Sequence, residues 1–189
     1  MDFCNKFQSS INLPNPITQV ASMSYDLYQS IQGNFFLGST DELIFGNGTR
    51  AWAGLFNPFN SNVNFFVYSW EVANTGDSPI RAQIWFNSYP TGQPMRVLTV
   101  APGNTALCPL PKPKVKFLQA TNVTSEPEDG VKAFVRRAQA NTTVGDVEFG
   151  KFIFAPGGSF LIDLSNPEAP NEPAKAIVSY TWFEEKINC

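Results

Sequence analysis

The constraint that most limits how this chain folds is its punctuation. Short runs of β-branched and aromatic residues alternate with clusters of Gly, Pro, Asn and Asp, and strand-like segments do not alternate with helix-like ones. The strongest run is NVNFFVYSWEVAN at 62–74. Strict alternation puts Val63, Phe65 and Val67 on one face and Phe66, Tyr68, Trp70 and Val72 on the other. Both faces are apolar, so this strand is expected to be central and covered on both sides over part of its length. PIRAQIWFNS at 79–88 places Ile80, Ala82, Ile84 and Phe86 on one face and Arg81, Gln83, Trp85 and Asn87 on the other, the pattern of a half-buried strand. TGDSP between these two runs has the composition of a hairpin turn. GKFIFAPGGSFLIDLSNP at 150–167 reads as a second hairpin turning on Pro-Gly-Gly, and KAIVSYTWFEE at 175–185 as a long final strand.

Weaker strand signals fill the intervals: GNFFLG (33–38), ELIFG (42–46), AWAGLFNP (51–58), MRVLTVAP (95–102) and KVKFLQA (114–120). SYDLYQSIQ (24–32) suits a short helix or a turn, and the prolines of CPLPKPK (108–114) make a stiff connector. Residues 121–150 carry little pattern beyond VKAFVRR (131–137) and read as a surface excursion. Charged residues are 15% against aromatics at 14%, with fifteen Pro and thirteen Gly, which favours strands over helices. The expected fold is all-β: an antiparallel two-sheet jelly-roll-like β-sandwich with an extended N-terminal arm. Its parts are an arm over 1–24, the sandwich over 25–186 and a tail over 187–189.

Several functions are disfavoured. The net charge is −3, and the only basic cluster, Lys112, Lys114 and Lys116, is too small a footprint for nucleic acid. No apolar stretch is long enough to span a bilayer, and MDFCNKFQSS lacks the pattern of a secretory signal. The chain has no histidine, which removes Ser-His-Asp and Cys-His catalysis and histidine zinc sites. No catalytic residue, metal ligand or cofactor is therefore assigned, and the chain is read as non-enzymatic. Glu126, Glu128 and Asp129, like Glu184 and Glu185, are read as solvated surface rather than a facing carboxyl pair, the last two also guarding a strand end. Trp70 and Trp85 are read as cross-strand packing, with a sugar-stacking platform and glycan contact as the alternative. The glycosylation sequons at Asn47, Asn122 and Asn141 are read as chance matches.

The three cysteines, Cys4, Cys108 and Cys189, are an odd number, so they cannot all pair within one chain. Two stand near the termini, where a thiol reaches other subunits. Pro14 and Pro16 keep the arm extended, and Phe3, Phe7, Ile11, Leu13, Ile17 and Val20 make it more apolar than a spacer needs. Such a segment suits strand addition to another subunit, with a reach on the order of 70–80 Å at ~3.3 Å per residue. The expectation is a homopolymer in which the arm residues dock on a neighbour and Cys4 pairs with Cys108 or Cys189 of that neighbour.

LYQSIQGNFFLG (27–38), WAGLFNPFNSNVNFFV (52–67), AQIWFN (82–87), NTALCPLPKPKV (104–115), GKFIFAPGGSF (150–160) and SYTWFEEK (179–186) together resemble a family of small proteins from endospore-forming Gram-positive bacteria that is described as a domain of unknown function. The architecture also resembles endospore appendage subunits, jelly-roll domains whose cysteine-bearing N-terminal connectors insert into neighbours and are disulfide-linked there. Those connectors often carry adjacent cysteines, whereas this arm has Cys4 alone. The resemblance implies a self-assembling structural subunit of a spore-surface or extracellular fibre, made in the mother cell and released on lysis. The alternative it leaves is a carbohydrate-binding or adhesive domain of the spore or cell surface.

Overall fold

The computed structural model describes residues 22–187. After the helix α1 (Tyr25–Ile31), the chain runs through β1 (Phe35–Ser39), β2 (Leu43–Gly46), β3 (Arg50–Phe56), β4 (Val63–Asn74), β5 (Ile80–Phe86), β6 (Met95–Arg96), β7 (Ala101–Pro102), β8 (Lys116–Val123), β9 (Val131–Ala138), β10 (Thr143–Phe154), β11 (Ser159–Ser165) and β12 (Pro173–Lys186). One sheet, called A below, has the order β10-β4-β12-β1-β7, with β2 also paired to β12. Sheet B has the order β6-β8-β3-β11-β5-β9. Every pairing is antiparallel. The rows β1-β12-β4-β10 and β3-β11-β5-β9, with the chain crossing repeatedly from one sheet to the other, are the jelly-roll arrangement expected from the sequence.

Aromatic side chains from both sheets meet in the middle. Phe65, Trp70, Tyr180 and Trp182 of sheet A face Phe117, Phe160 and Ile162 of sheet B, all fully or almost fully buried. Phe160 packs edge-on to Tyr180 at 5.7 Å, and Phe117 does the same at 5.1 Å. The Tyr180 hydroxyl crosses the sandwich to donate to the Ala53 carbonyl at 2.9 Å, so the one polar atom this ring brings inside is satisfied.

Four sequence expectations are corrected. First, β4 does not alternate throughout. Thr181 pairs with Ser69 but Trp182 pairs with Val67, so Tyr68 is an extra residue in β4. This bulge moves Trp70 and Val72 to the same buried face as Val63, Phe65 and Val67. Second, neither expected hairpin pairs its own strands. β4 and β10 lie in sheet A, whereas β5 and β11 lie in sheet B, so both turns are arches between sheets.

Buried asparagines hold these arches. Asn74 donates to the carbonyls of Ser78 and Gln139 at 2.9 Å each and accepts from the Gly76 amide at 3.0 Å. Asn57 donates to Val63 O at 2.8 Å and Phe154 O at 3.2 Å, while its backbone bonds Gly157 and Gly158. Gly157 has φ 88°, and a Cβ there would lie 2.4 Å from the Phe59 ring.

Third, 95–102 is not one strand. β6 pairs with β8 in sheet B and β7 with β1 in sheet A, so the segment crosses the end of the sandwich. Fourth, the supposed excursion over 121–150 holds β9 and the first half of β10. Both are edge strands whose side chains are mostly exposed, so they lack the apolar alternation that marks a half-buried strand.

The packing generates a paired prediction. Phe160→Ala should cost about 3–5 kcal/mol in urea unfolding, because its cavity opens among Phe86, Phe154 and Tyr180. Phe149→Ala, at a side chain 69% exposed, should stay within about 0.5 kcal/mol of wild type. Equal costs would contradict this placement of the core.

Candidate functional site

Of the residues that the sequence marks for assembly, Cys4, Cys189, Phe3, Phe7, Ile11, Leu13, Ile17 and Val20 lie outside the described residues. Cys108 is exposed in the loop after β7, on the N-terminal side of a cis bond to Pro109. It is disulfide-bonded, and its partner lies outside the described residues.

The proline connector that follows Cys108 is fixed to the body by a carboxylate. Glu184 accepts the backbone amides of Lys114 at 3.0 Å and Val115 at 3.0 Å, and the indole N–H of Trp182 at 3.1 Å. The Lys114 ammonium caps the Ser61 carbonyl at 3.2 Å. Glu184 is therefore buried structure, which corrects its reading as solvated surface. Alternation along β12 carries the signal: Glu184 shares the parity of Tyr180 and Trp182, the inward residues. Burial pushes its pKa up, and the three donors offset part of that shift.

Strand addition needs an open sheet edge. Among the described residues, β9 pairs only with β5 and β10 only with β4. Both edges are guarded. β9 carries Lys132, Arg136 and Arg137, and the β10 ladder breaks between Val147 and Phe152, with Phe149 and Gly150 at φ 53° and 78°. The opposite edge of sheet A differs. There β1 is covered along its length by 99–103, where β7 pairs with it, the Gly103 amide donates to Phe35 O at 2.8 Å and the Thr99 hydroxyl donates to Ser39 O. β2, itself uncharged but preceded by exposed Asp41 and Glu42, pairs only with β12.

The outer face of sheet A is apolar as well. Ile153, Phe66, Phe183 and Phe35 form one row across four strands. Phe66 stacks on Phe183 at 4.7 Å, and Tyr68 meets both Phe35 and Phe149 edge-on. Leu37, Ile44, Val147 and Ile153 are 42–57% exposed on this face. Trp70, half of the sugar platform considered in the sequence, is instead buried in the core. Trp85 lies on the other sheet beneath Lys132, whose ammonium is 4.8 Å from the ring. That platform does not exist.

Sheet B carries the strongest charge cluster. Arg50 binds Asp163 through two nitrogens, and Glu126 through one at 3.4 Å. Glu126 also accepts from Gln83 at 2.9 Å and Lys132 at 3.0 Å. Asp163 is sealed from solvent and Glu126 is not, so the two carboxylates share a guanidinium rather than face each other across a cleft. No group of three or more potential ligands is placed to hold a metal among the described residues.

The chain is thus a jelly-roll β-sandwich whose β9 and β10 edges are guarded and whose β2 edge is unpaired among the described residues. It belongs to DUF6143, a family of unknown function that matches residues 11–189. The match takes in Ile11, Leu13, Ile17 and Val20 of the arm, and Cys189, while Phe3, Cys4 and Phe7 precede it. No curated protein and no solved structure gives a match.

Asp163 yields a pH prediction. Burial raises it from 3.8 to about 6, Arg50 offsetting part of the cost. Its contribution to stability is therefore complete below about pH 4 and lost as pH rises through about 6. Buried Glu184 has the same sign, and partly exposed Glu126, whose pKa is lowered first by its bond from Gln83, has the opposite one. Relative to wild type, Asp163→Asn should gain about 2 kcal/mol between pH 4 and pH 7 in urea unfolding. A constant difference across that window would refute the assignment.

Proposed function

We propose that this protein is a self-assembling structural subunit of an extracellular or spore-surface fibre. Each body passes its N-terminal arm to a neighbour as a donated strand, and disulfides between subunits lock the joint. The carrying observation is the edge of β2 in sheet A, which pairs with no strand but β12 among the described residues and exposes Ile44 beside Leu37 of β1. An incoming extended segment would gain backbone hydrogen bonds from the edge and cover apolar surface beside it. The β9 and β10 edges carry charge or a bulge, so addition there is disfavoured. The arm supplies a fitting partner in its spaced apolar residues Ile11, Leu13, Ile17 and Val20. With Cys108 already disulfide-bonded, the odd count leaves one thiol for a bond between chains, and the reading places it at Cys4 on the arm. Such a pilus-like polymer would reach the spore surface when the mother cell lyses.

Negative-stain microscopy and non-reducing gels test this. Full-length protein should form filaments and a covalent dimer that collapses with reductant, since Cys108 is already bonded and one thiol per chain is left. Removal of residues 1–21 should give a folded monomer, because the buried core lies between Phe36 and Phe183. Filaments that persist without those residues would rule out the arm as connector. An undiminished dimer in Cys4→Ser would move the cross-link to Cys189.

A further inference from the structure

A groove at one end of sheet A's outer face has a composition that assembly does not require. It lies between α1 and the end of β12, encloses about 440 Å³, and is lined by Tyr25, Tyr28, Gln29, Gln32, Asn34, Glu185 and Lys186. That volume is within the range of small-molecule sites, about 300–1,000 Å³.

Two tyrosines one helical turn apart form its aromatic wall. Tyr25 and Tyr28 stack with ring centroids 6.1 Å apart and an interplanar angle of 23°. They remain 55% and 45% exposed, so a large amphipathic surface faces water beside a polar floor. Tyr25 is braced from behind by the edge of Phe183 at 5.8 Å, which fixes the platform to the sheet.

The floor is ordered by its own hydrogen bonds. Asn34 donates to the Gln29 carbonyl oxygen at 3.0 Å, Gln29 donates to Glu185 at 3.0 Å, and the Tyr25 hydroxyl donates to the same Glu185 oxygen. Gln29 is buried, so its amide is held rather than free to turn. The side chains of Tyr28, Gln32 and Lys186 make no hydrogen bond or ion pair among the described residues, and Glu185 keeps its second oxygen. The groove therefore offers fixed donors and acceptors together, with one carboxylate and one ammonium nearly balancing in charge.

We propose that this groove binds a glycan, with the apolar face of a sugar ring laid on Tyr28 and its hydroxyls bonded by Gln32, Asn34, Glu185 and Lys186. A flat aromatic beside balanced donors and acceptors matches a pyranose, which has apolar C–H faces and a rim of hydroxyls. An anionic ligand would meet Glu185, and a purely apolar one would strand the polar floor. The site is separate from the Trp70 and Trp85 pair and goes beyond the assembly reading.

The test uses the full-length chain and three probes: hexasaccharides of N-acetylglucosamine, of β-linked glucose and of α-linked glucose. Titration is followed by the side-chain amide resonances of Gln29, Gln32 and Asn34. At least one sugar should shift them with a Kd between about 10 μM and 1 mM. Tyr28→Ala should weaken that binding at least about tenfold, while Tyr28→Phe, which keeps the ring face, should stay within about threefold of wild type. If none of the three shifts the amides by about 10 mM, or if Tyr28→Ala binds as well as wild type, the proposal fails. Shifts that follow protein concentration instead of sugar would mean that a second copy fills the groove, and would also overturn it. Filament formation is scored separately, so failure here leaves the assembly reading standing.

Discussion

The interaction on which the rest of the structure depends is the pairing of β12 with β4 across the bulge at Tyr68. β12 alternates without interruption, and Ala174, Ala176, Val178, Tyr180, Trp182 and Glu184 all point inward. β4 cannot do so. Uninterrupted alternation from Val63, Phe65 and Val67 would next bury Ser69 and Glu71 and expel Trp70 and Val72. Burying an unpaired carboxylate costs several kcal/mol or forces its protonation, and expelling an indole forfeits a large apolar burial. One extra residue resolves both. The same residue gives sheet A its two characters: Trp70 and Trp182 fill the core, while Phe66, Tyr68 and Phe183 form the outer aromatic row.

A second dependency runs through Glu184. A carboxylate at an inward position needs donors, and the backbone amides of Lys114 and Val115 supply them. Prolines at 111 and 113 leave few amides on the connector to satisfy, so the stretch can lie along the body without a strand partner of its own. The bond thus anchors the chain segment that carries Cys108. Gly33 completes the junction on the other side, where a Cβ would lie 2.7 Å from Pro111 and 2.8 Å from Leu107. The N-terminal helix, the end of β12 and the cysteine loop are therefore one mechanical unit.

The fold class was legible because burial patterns survive in β5, β11 and β12, where one face is core over the whole length. Strand partners were not legible. A Pro-Gly-Gly or Thr-Gly-Asp turn has the same composition whether it closes a hairpin or arches between sheets, and the deciding groups, Asn57 and Asn74, make their bonds to residues distant in sequence. β10 was missed over its first half because an exposed edge strand needs no apolar alternation. Of the candidate sites, the sequence marked aromatics and acids but not their neighbours. Trp70 and Trp85 look equivalent as letters, yet they belong to different sheets. Tyr25 and Glu185 are 160 positions apart and meet only when β12 pairs with β1.

The two outer faces then explain why surface function should fall on sheet A. Sheet B covers itself: the segment after β5 returns over Trp52, whose indole donates to the Thr91 carbonyl at 2.7 Å, and Gly92 sits so close to Val123 that a Cβ would lie 2.9 Å from it. Trp52, Ala120, Val123 and Leu161 are thereby buried in a small core of their own. Sheet A has only one turn-rich helix at one end, and Phe149, Ile153, Leu37 and Ile44 stay in water. A chain that spends a covering segment on one face and leaves aromatics exposed on the other has a surface that solvation alone does not favour. The unpaired edge of β2 lies beside that face. Unpaired β2 edge, apolar face and polar-floored tyrosine groove thus coincide on a single side of the molecule, and a partner that engages one of them must pass close to the others.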